Sequence, residues 1–495
     1  MAGFFKKLRD DVFGKSTSSE TVQPSRRTDD EGEPTASVPP TTKASPGRSS
    51  YFVQIGLDFG TAFTKCICRD LTIGDKTWVY LPPDSNNPDF PFLISSSVIF
   101  EKGILTHHRG NSGEYVENGL PHMKMALEKV GLKEWKDPVL DPFRRGVPGT
   151  SDSDLARFVE GCATYLLAGI IGGVRADIRS RFPKEIGEGF VAVNMAVPAA
   201  NADHPNVDVF QKVLRSAWTL SDKLENFPPT SWRELDQLLA LESDEAETES
   251  TCFVYPEVSA NVQGFVRSRT SREGLYLFSD TGAGTVDQSV FLFSRPDGSD
   301  HLTYLHAQVL PLGSGHLERL AADRDRDSAW ENLERWRLRK ENQEDHPHLE
   351  FARSEIGSSL GDGTEQTIAI SKKKLIRRQQ LNSLRVIFGG GGHCEKPYGK
   401  SVLMRFGGNM FHQKEIKNRK RNGEPFDLGM PVPKDLDLTV DQRHWIDRLT
   451  VAYGLSFEKS QLSSFTLPND VDVPKAEEIW RPVRKVKSAP TKDEC

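Results

Sequence analysis

Two short stretches of the 495-residue sequence share one plan and decide the fold. The first is Ile55-Gly56-Leu57-Asp58-Phe59-Gly60-Thr61-Ala62, in which an apolar strand ends at an aspartate before a turn of glycine and threonine. The second is Tyr276-Leu277-Phe278-Ser279-Asp280-Thr281-Gly282-Ala283-Gly284-Thr285-Val286-Asp287, whose first aspartate follows Asp58 by 222 residues. Backbone N–H groups in such a turn can approach an anion closely, and threonine hydroxyls add donors. Two of these hairpins, facing each other, would clamp the phosphate tail of a nucleotide from both sides.

The aspartate at the end of each strand indicates a metal ion in the same clamp. A carboxylate does not bind phosphate by itself, but it can hold the Mg²⁺ that the phosphates also bind, commonly through water. We therefore predict that Asp58 and Asp280 hold Mg²⁺. Two unrelated hairpins with glycine turns are the alternative interpretation, and the recurrence of the whole plan after a continuous apolar strand disfavours it.

The sequence around the two hairpins alternates between strand and helix patterns. Buried strands are predicted over 64–68, 90–100, 190–197, 275–280, 286–293 and 384–388. The spacing of apolar residues predicts helices over 153–181, 207–218, 317–344 and 440–457, with a surface loop at the acidic stretch 241–250. This alternation predicts an α/β protein with covered sheets.

Composition excludes several classes of protein. The net charge is -6 and the isoelectric point is near 6.1, which disfavours general capture of nucleic acid, because that needs a basic surface. The six cysteines are scattered, as in proteins of a reducing compartment. No apolar run of about 20 residues and no signal-peptide core are evident, so a cytoplasmic protein is expected.

The paired hairpins resemble the phosphate-binding loops of the actin, sugar kinase and heat-shock-protein-70 ATPases. Six further segments resemble that superfamily in the same order: Asn194–Ala199, Pro256–Ala260, Leu312–Gly315, Ile370–Leu375, Val386–Gly392 and Thr450–Gly454. The resemblance covers about residues 51–457. It implies a two-lobed, actin-like ATPase of duplicated RNase H-like folds, with the nucleotide cleft between the lobes. Lobe I would span about 51–260, lobe II about 261–440, and a closing helix about 440–457.

Details of the second hairpin favour the chaperone branch of this superfamily. Asp287 lies two residues after Thr285, as in the chaperones, where the rod-shape actins usually have glutamate. Two departures affect hydrolysis more than binding. Ala283 replaces a glycine of the phosphate loop, and Val258 replaces a proline of the helix that connects the lobes.

The resemblance also implies roles for individual residues. Asp58 and Asp280 would hold Mg²⁺ through water, and Glu257 and Asp287 would lie near the γ-phosphate and the attacking water. Lys124 matches the catalytic lysine of the family only loosely. Contacts with ATP are expected from Gly60, Thr61, Ala62, Gly282, Ala283, Gly284, Thr285, Gly313, Lys373, Gly389, Gly390 and Gly391.

Two competing motifs fail on inspection. Gly399-Lys400-Ser401 looks like the end of a P-loop, but Cys394 occupies the position of its first glycine, and residues 402–404 look like a strand rather than a helix. The pairs His107-His108 and His346-Pro347-His348 have no clustered cysteine or histidine nearby in the sequence, which disfavours zinc.

Both ends of the chain differ from the central region. Residues 1–15 have the pattern of an amphipathic docking helix, which could bind a partner protein or, less favoured, a membrane. Residues 16–50 have the composition of a disordered linker. The tail 458–495 is too short for a peptide-binding β-sandwich, which needs about 100 residues.

The expected function is therefore ATP binding with slow hydrolysis, used as a conformational switch that acts through a partner protein. An actin-like filament protein linked to a membrane is one alternative. A pseudo-ATPase that only binds nucleotide is another.

Overall fold

A computed structural model describes the protein over residues 50–474 with gaps at 73–75, 86, 110–114, 150, 183–188, 198–206, 241–244, 269–270, 328, 376–383, 406–430 and 459–460. The predicted docking helix, nearly all of the predicted linker and the end of the tail lie outside the described residues. So do Pro198 and Ala199 of the segment that resembles the chaperones.

Over the described residues the protein is a mixed α/β structure with three sheets. Its strands are β1 Phe52–Phe59, β2 Phe63–Asp70, β3 Lys76–Val79, β4 Ile94–Ser95, β5 Val98–Glu101, β6 Ile104–His107, β7 Gly119–Leu120, β8 Phe190–Val197, β9 Thr230–Ser231, β10 Cys252–Pro256, β11 Gly274–Thr281, β12 Val286–Ser294, β13 His301–Leu310, β14 Arg385–Gly389 and β15 Ser464–Thr466. The first large sheet has the order β10-β8-β1-β2-β3, and β4 pairs with β2. The second has the order β14-β11-β12-β13-β15, and β5, β6, β7 and β9 form a small third sheet.

The two large sheets share one pairing plan. In the first, β1, β2 and β3 form an antiparallel meander, and β8 runs parallel to β1 on its other side. In the second, β11, β12 and β13 form the meander, and β14 runs parallel to β11. Consequently the strands that carry Asp58 and Asp280 occupy corresponding places, each between an antiparallel and a parallel neighbour. In each of these strands every residue after the first is buried, as expected for sheets covered on both faces.

Helices cover the sheets. They are α1 Met123–Leu132, α2 Asp141–Gly146, α3 Asp152–Arg181, α4 Val207–Leu220, α5 Trp232–Leu239, α6 Glu245–Thr251, α7 Glu257–Asn261, α8 Gln263–Val266, α9 Gly315–Asp325, α10 Trp330–Glu341, α11 Pro347–Lys373, α12 Tyr398–Arg405 and α13 Ile446–Leu455. Helix α3 begins at a capping box formed by Ser151 and Asp154. It is long and apolar enough to cross a membrane, but 83% of its most apolar window is buried inside the protein, as in the core helix of a folded domain.

Helix α13 packs unusually close to both of its neighbours. A Cβ on Gly56 of β1 would overlap the carbonyl oxygen of Ala452, and a Cβ on Gly454 would overlap the carbonyl oxygen of Ala260 in α7. Glycine is therefore required at both crossings, because only a residue without a side chain lets the backbones come so near.

Several predicted elements differ from the observed ones. The predicted helix 317–344 is two helices, α9 and α10, because Arg326 adopts a left-handed conformation between them. The predicted helix 440–457 starts as a 3-10 turn over Val440–Trp445. The predicted strand 90–100 is the two short strands β4 and β5, and within the predicted loop 241–250 helix α6 begins at Glu245.

The expectation for residues 402–404 was wrong. They lie in helix α12, where Tyr398 and Val402 are buried one helical turn apart. The described part of the tail packs back on the protein, since β15 pairs in parallel with β13 at the edge of the second sheet.

Candidate functional site

A cavity of about 490 Å³ lies between the two large sheets. The turns after β1 and β11 both line it, as do residues of α1, α7, α10, α13 and the turn after β14. Its size is within the range of small-molecule and cofactor sites. Of the residues predicted for the site, the following line this cavity: Asp58, Gly60, Thr61, Ala62, Lys124, Glu257, Asp280, Gly282, Ala283, Thr285, Asp287, Gly390 and Gly391.

The two hairpin turns meet at the floor of the cavity. A Cβ on Gly284 would lie 3.0 Å from the Thr61 hydroxyl and 2.5 Å from the Met125 sulfur, so the second turn rests against the first. The second turn is held by its own backbone, since the Gly282 N–H donates to the Thr285 carbonyl at 2.9 Å. Two glycine turns thus face one cavity, as the repeated sequence plan predicts.

Asp58 is the penultimate residue of β1 and is paired with a lysine that the sequence analysis did not single out. The Lys65 ammonium lies 2.6 Å from the Asp58 carboxylate, and the two residues are directly opposite each other in the β1–β2 ladder. Asp58 is 3% exposed, whereas Lys65 is half-buried and lines the cavity. This pair places a cation beside the first turn, within the cavity.

A second buried ion pair connects α1 with α7. The Lys124 ammonium donates to the Glu257 carboxylate at 2.6 Å, and both residues line the cavity. Burial by itself would lower the pKa of Lys124, but the carboxylates of Glu257, Asp58 and Asp287 outweigh it, and the net shift is upward. Lys124 is therefore a firmly charged cation that faces a group of acids.

Asp280 is the most buried acid among those of the second hairpin. Burial, with repulsion from Glu257 and Asp58, raises its pKa to about 7. The Asn261 side-chain amide donates to its carboxylate. Gly390 lies directly against it, with φ of 76°, and a Cβ there would overlap both the Asp280 carboxylate and the backbone of the first turn residue.

The two carboxylate oxygens of Asp287 differ in their surroundings. The Thr285 hydroxyl donates to its Oδ2 at 2.9 Å, but its Oδ1 is shielded from solvent and has no hydrogen-bond partner. Burial and the nearby Glu257 carboxylate raise the pKa of Asp287 well above its usual range. An orphaned, buried carboxylate oxygen beside other acids is the environment that a divalent cation relieves.

The donor set fits Mg²⁺ held by few protein atoms. Over the described ranges, no three His, Cys, Asp or Glu side chains converge closely enough to hold an ion by themselves. Mg²⁺ usually keeps several waters and is bound through one or two carboxylates plus substrate phosphates. Asp58, Asp280 and Asp287 around a phosphate-sized space match that preference.

The other end of the cavity was missed by the sequence analysis. Helix α10 contributes Arg337 and Lys340, and Lys340 forms a buried pair with Glu318 of α9 at 2.6 Å. The Arg448 guanidinium of α13 lies 4.4 Å from the centre of the Phe90 ring, and both residues line the cavity. The only signal in the sequence was the high charge of 317–344, which is equally typical of a solvated helix.

Four predicted contact residues do not line the cavity. Lys373 is exposed at the end of α11. Gly284 packs on the first turn, Gly313 packs on the backbone of Ala283, and Gly389 packs on the Phe278 ring. The three glycines are thus required by close packing around the site rather than by contact with a ligand.

Comparison with known proteins adds nothing to this geometry: the chain matches no model of a known family, and no curated protein is significantly similar to it. The functional argument therefore depends on the cavity itself. Its defining feature is a pair of glycine turns with two lysines and four carboxylates between them.

Proposed function

We propose that the protein binds ATP with Mg²⁺ in this cavity and hydrolyses it slowly, on a two-lobed, actin-like fold. The observation that carries the proposal is the convergence of both glycine turns on one space lined by Lys65 and Lys124. Turn N–H groups and two lysines suit a ligand with several negative charges. The shared pairing plan of the two large sheets supports the duplicated architecture.

Each group of the site then has a task in phosphoryl transfer, which is mostly positioning and electrostatic stabilisation. Thr61 donates to phosphate oxygens, together with the backbone of the turns, and Thr285 would do so by giving up its hydrogen bond to Asp287. Lys65 and Lys124 neutralise phosphate charge and exchange part of their contact with Asp58 and Glu257 for it. Bound Mg²⁺ would supply further neutralisation of the phosphates, held by the aspartates of the two hairpins.

Water activation is assigned to the acids of the second half. Burial and repulsion from Glu257 and Asp58 raise the pKa of Asp280, so its carboxylate is a stronger base than an exposed aspartate and is suited to accept a proton from an attacking water. Glu257, which keeps only part of its contact with Lys124, orients that water by hydrogen bonding. Arg337, Lys340, Gly390 and Gly391 surround the part of the cavity assigned to the nucleoside.

The biological role that we propose is a conformational switch for a partner protein. Both large sheets contribute to one cavity, so a ligand that contacts both favours the closed arrangement and shifts the equilibrium toward it. The output would be read by a separate polypeptide in the cytoplasm, through the N-terminal segment or the tail.

Asp280→Asn tests the proposal most directly. We expect it to reduce Mg²⁺-dependent ATP turnover roughly a hundredfold or more, because it removes a group that acts on the reacting atoms, while calorimetry still detects ATP binding. Asp297→Asn is the matched control, since Asp297 is exposed on the same half of the protein.

Wild-type turnover in Asp280→Asn, or no ATP binding by the wild-type protein, would contradict the proposal. Binding without turnover in the wild-type protein would identify a pseudo-ATPase. Sedimentation of the wild-type protein with ATP would identify the filament-forming alternative.

A further inference from the structure

Two contacts lie near the boundary between the cavity and a second, neighbouring groove. The groove has a volume of about 550 Å³ and is lined by residues of 100–146 on one side and by Arg319, Trp330 and Leu333 on the other. Lys124 and Glu318 line the cavity, whereas Tyr115, His122 and Arg319 line the groove. The Tyr115–Glu318 contact joins a residue of the groove to a residue of the cavity, and the Arg319–His122 contact lies on the groove side, at positions next to Glu318 and two residues before Lys124 in the sequence.

The Arg319–His122 contact connects the two halves of the protein. The Arg319 guanidinium donates to Nε2 of His122, and Arg319 lies on α9 whereas His122 directly precedes α1. The imidazole is neutral, since burial and the adjacent Arg319 and His316 lower the pKa of His122 well below its usual value. The Tyr115 hydroxyl lies 3.5 Å from Glu318 and adds a weaker contact of the same kind.

Arg319 and His122 are each connected through the chain to residues of the proposed phosphate site. On one side, the N–H groups of Ser314 and Gly315, where α9 begins, donate to the carbonyls of Gly282 and Ala283 at 2.9 and 2.8 Å. Arg319 follows one turn along the same helix. Thus any ligand that moves the second glycine turn also moves Arg319.

On the other side, His122 fixes the start of α1. It has φ of 58° and ψ of 36°, and α1 begins there without a side-chain cap. Histidine tolerates this left-handed conformation better than most residues, yet it remains uncommon. Two residues later is Lys124, whose partner Glu257 lies beside Asp287. His122 is consequently a positioning residue for Lys124.

We infer that the Arg319–His122 contact is a gate between the cavity and the groove, and that it controls the release of bound nucleotide. The inference rests on the proposed function. When the Arg319–His122 contact is formed, both halves enclose the ligand. When the contact is broken, the cavity opens into the groove. Opening requires this buried hydrogen bond from a charged group to be broken, and the free-energy cost of breaking it slows the opening.

The test is the dissociation rate of a fluorescent N-methylanthraniloyl-ADP, chased with excess ADP. Arg319→Met keeps the aliphatic packing and removes the guanidinium, and His122→Asn keeps a residue that tolerates the left-handed backbone. We expect each variant to release the nucleotide about tenfold faster, with little change in association. The double variant should be no faster than either single variant, because both remove the same contact.

Arg324→Met is the matched control, since Arg324 lies on the same helix and packs over the Phe351 ring. The gate would be overturned if both single variants released the nucleotide at the rate of the Arg324→Met control. It would also be overturned if the effects of the two substitutions added in the double variant. Melting temperatures exclude general unfolding as the cause, and His122→Asn carries the test if Arg319→Met does not fold. If the wild-type protein binds no nucleotide, the proposed function and the gate both fail; if only the variant rates are unchanged, the gate alone fails.

Discussion

The two hairpins have corresponding ladders but opposite charge patterns at the aspartate pair, and this difference decides what each contributes. In the first hairpin Asp58 faces Lys65 across the ladder, whereas in the second Asp280 faces Asp287. Cross-strand neighbours of opposite charge stabilise a hairpin, and like charges destabilise it. The first hairpin is therefore balanced by its own residues.

The second hairpin lacks that balance. Its two acids repel each other, and burial raises the pKa of both. A cation bound in the cavity would relieve this repulsion, so under the proposed function the charge balance of the second hairpin depends on the ligand. The comparison predicts opposite responses to substitutions at the two matched positions.

The largest effect is expected from Lys65→Met. Removing the lysine leaves Asp58 buried without its partner, and breaking a buried pair in this way costs about 3 kcal/mol of unfolding free energy. Urea denaturation without nucleotide measures this loss. The double variant Lys65→Met, Asp58→Asn should recover most of the stability, and a double variant as unstable as the single one would show that packing, not charge, is responsible.

The pH dependence of stability should differ between the hairpins. The folded protein holds a proton on Asp280 up to a pKa of about 7, above the ordinary value near 3.8. Since the folded state binds more protons than the unfolded state in this range, stability should fall by about 2 kcal/mol from pH 5 to pH 7 and level off above it. Denaturation at several pH values measures the slope, which Asp280→Asn should reduce, leaving the contribution of Asp287, and which Asp297→Asn should leave intact.

The smallest effect on the free energy of unfolding is expected from Asp287→Asn, which should stabilise the protein, whereas Lys65→Met should destabilise it. The amide keeps the hydrogen bond from Thr285 and removes a charge that lies near Asp280 and Glu257. Without nucleotide, the variant should be more stable than the wild-type protein by about 1 kcal/mol at pH 8. A stability loss at that pH would indicate that the orphaned Oδ1 has a stabilising role in the free protein.

The sequence predicted the parts of the site that depend on local pattern. Asp58 and Asp280 each end an apolar strand before a glycine turn, and both lie in the cavity. Lys65 was overlooked because its role in the site depends on the strand register that places it opposite Asp58. Lys340 was overlooked because, in a helix with many charged residues, the buried face is determined by packing against the rest of the protein. Lys373 was included by resemblance rather than by any local pattern.

The close crossings at Gly56 and Gly454 have a mechanical consequence. Helix α13 touches β1 of the first sheet through one glycine and α7 through the other, backbone against backbone. A sliding displacement along either contact would drive a neighbouring Cβ into a carbonyl group, whereas a small roll about the contact keeps the spacing. Helix α13 can therefore roll but not slide on β1 and α7, so the wall of the cavity that it forms, at Arg448 and Thr450, would keep its position along the strand while its tilt could change.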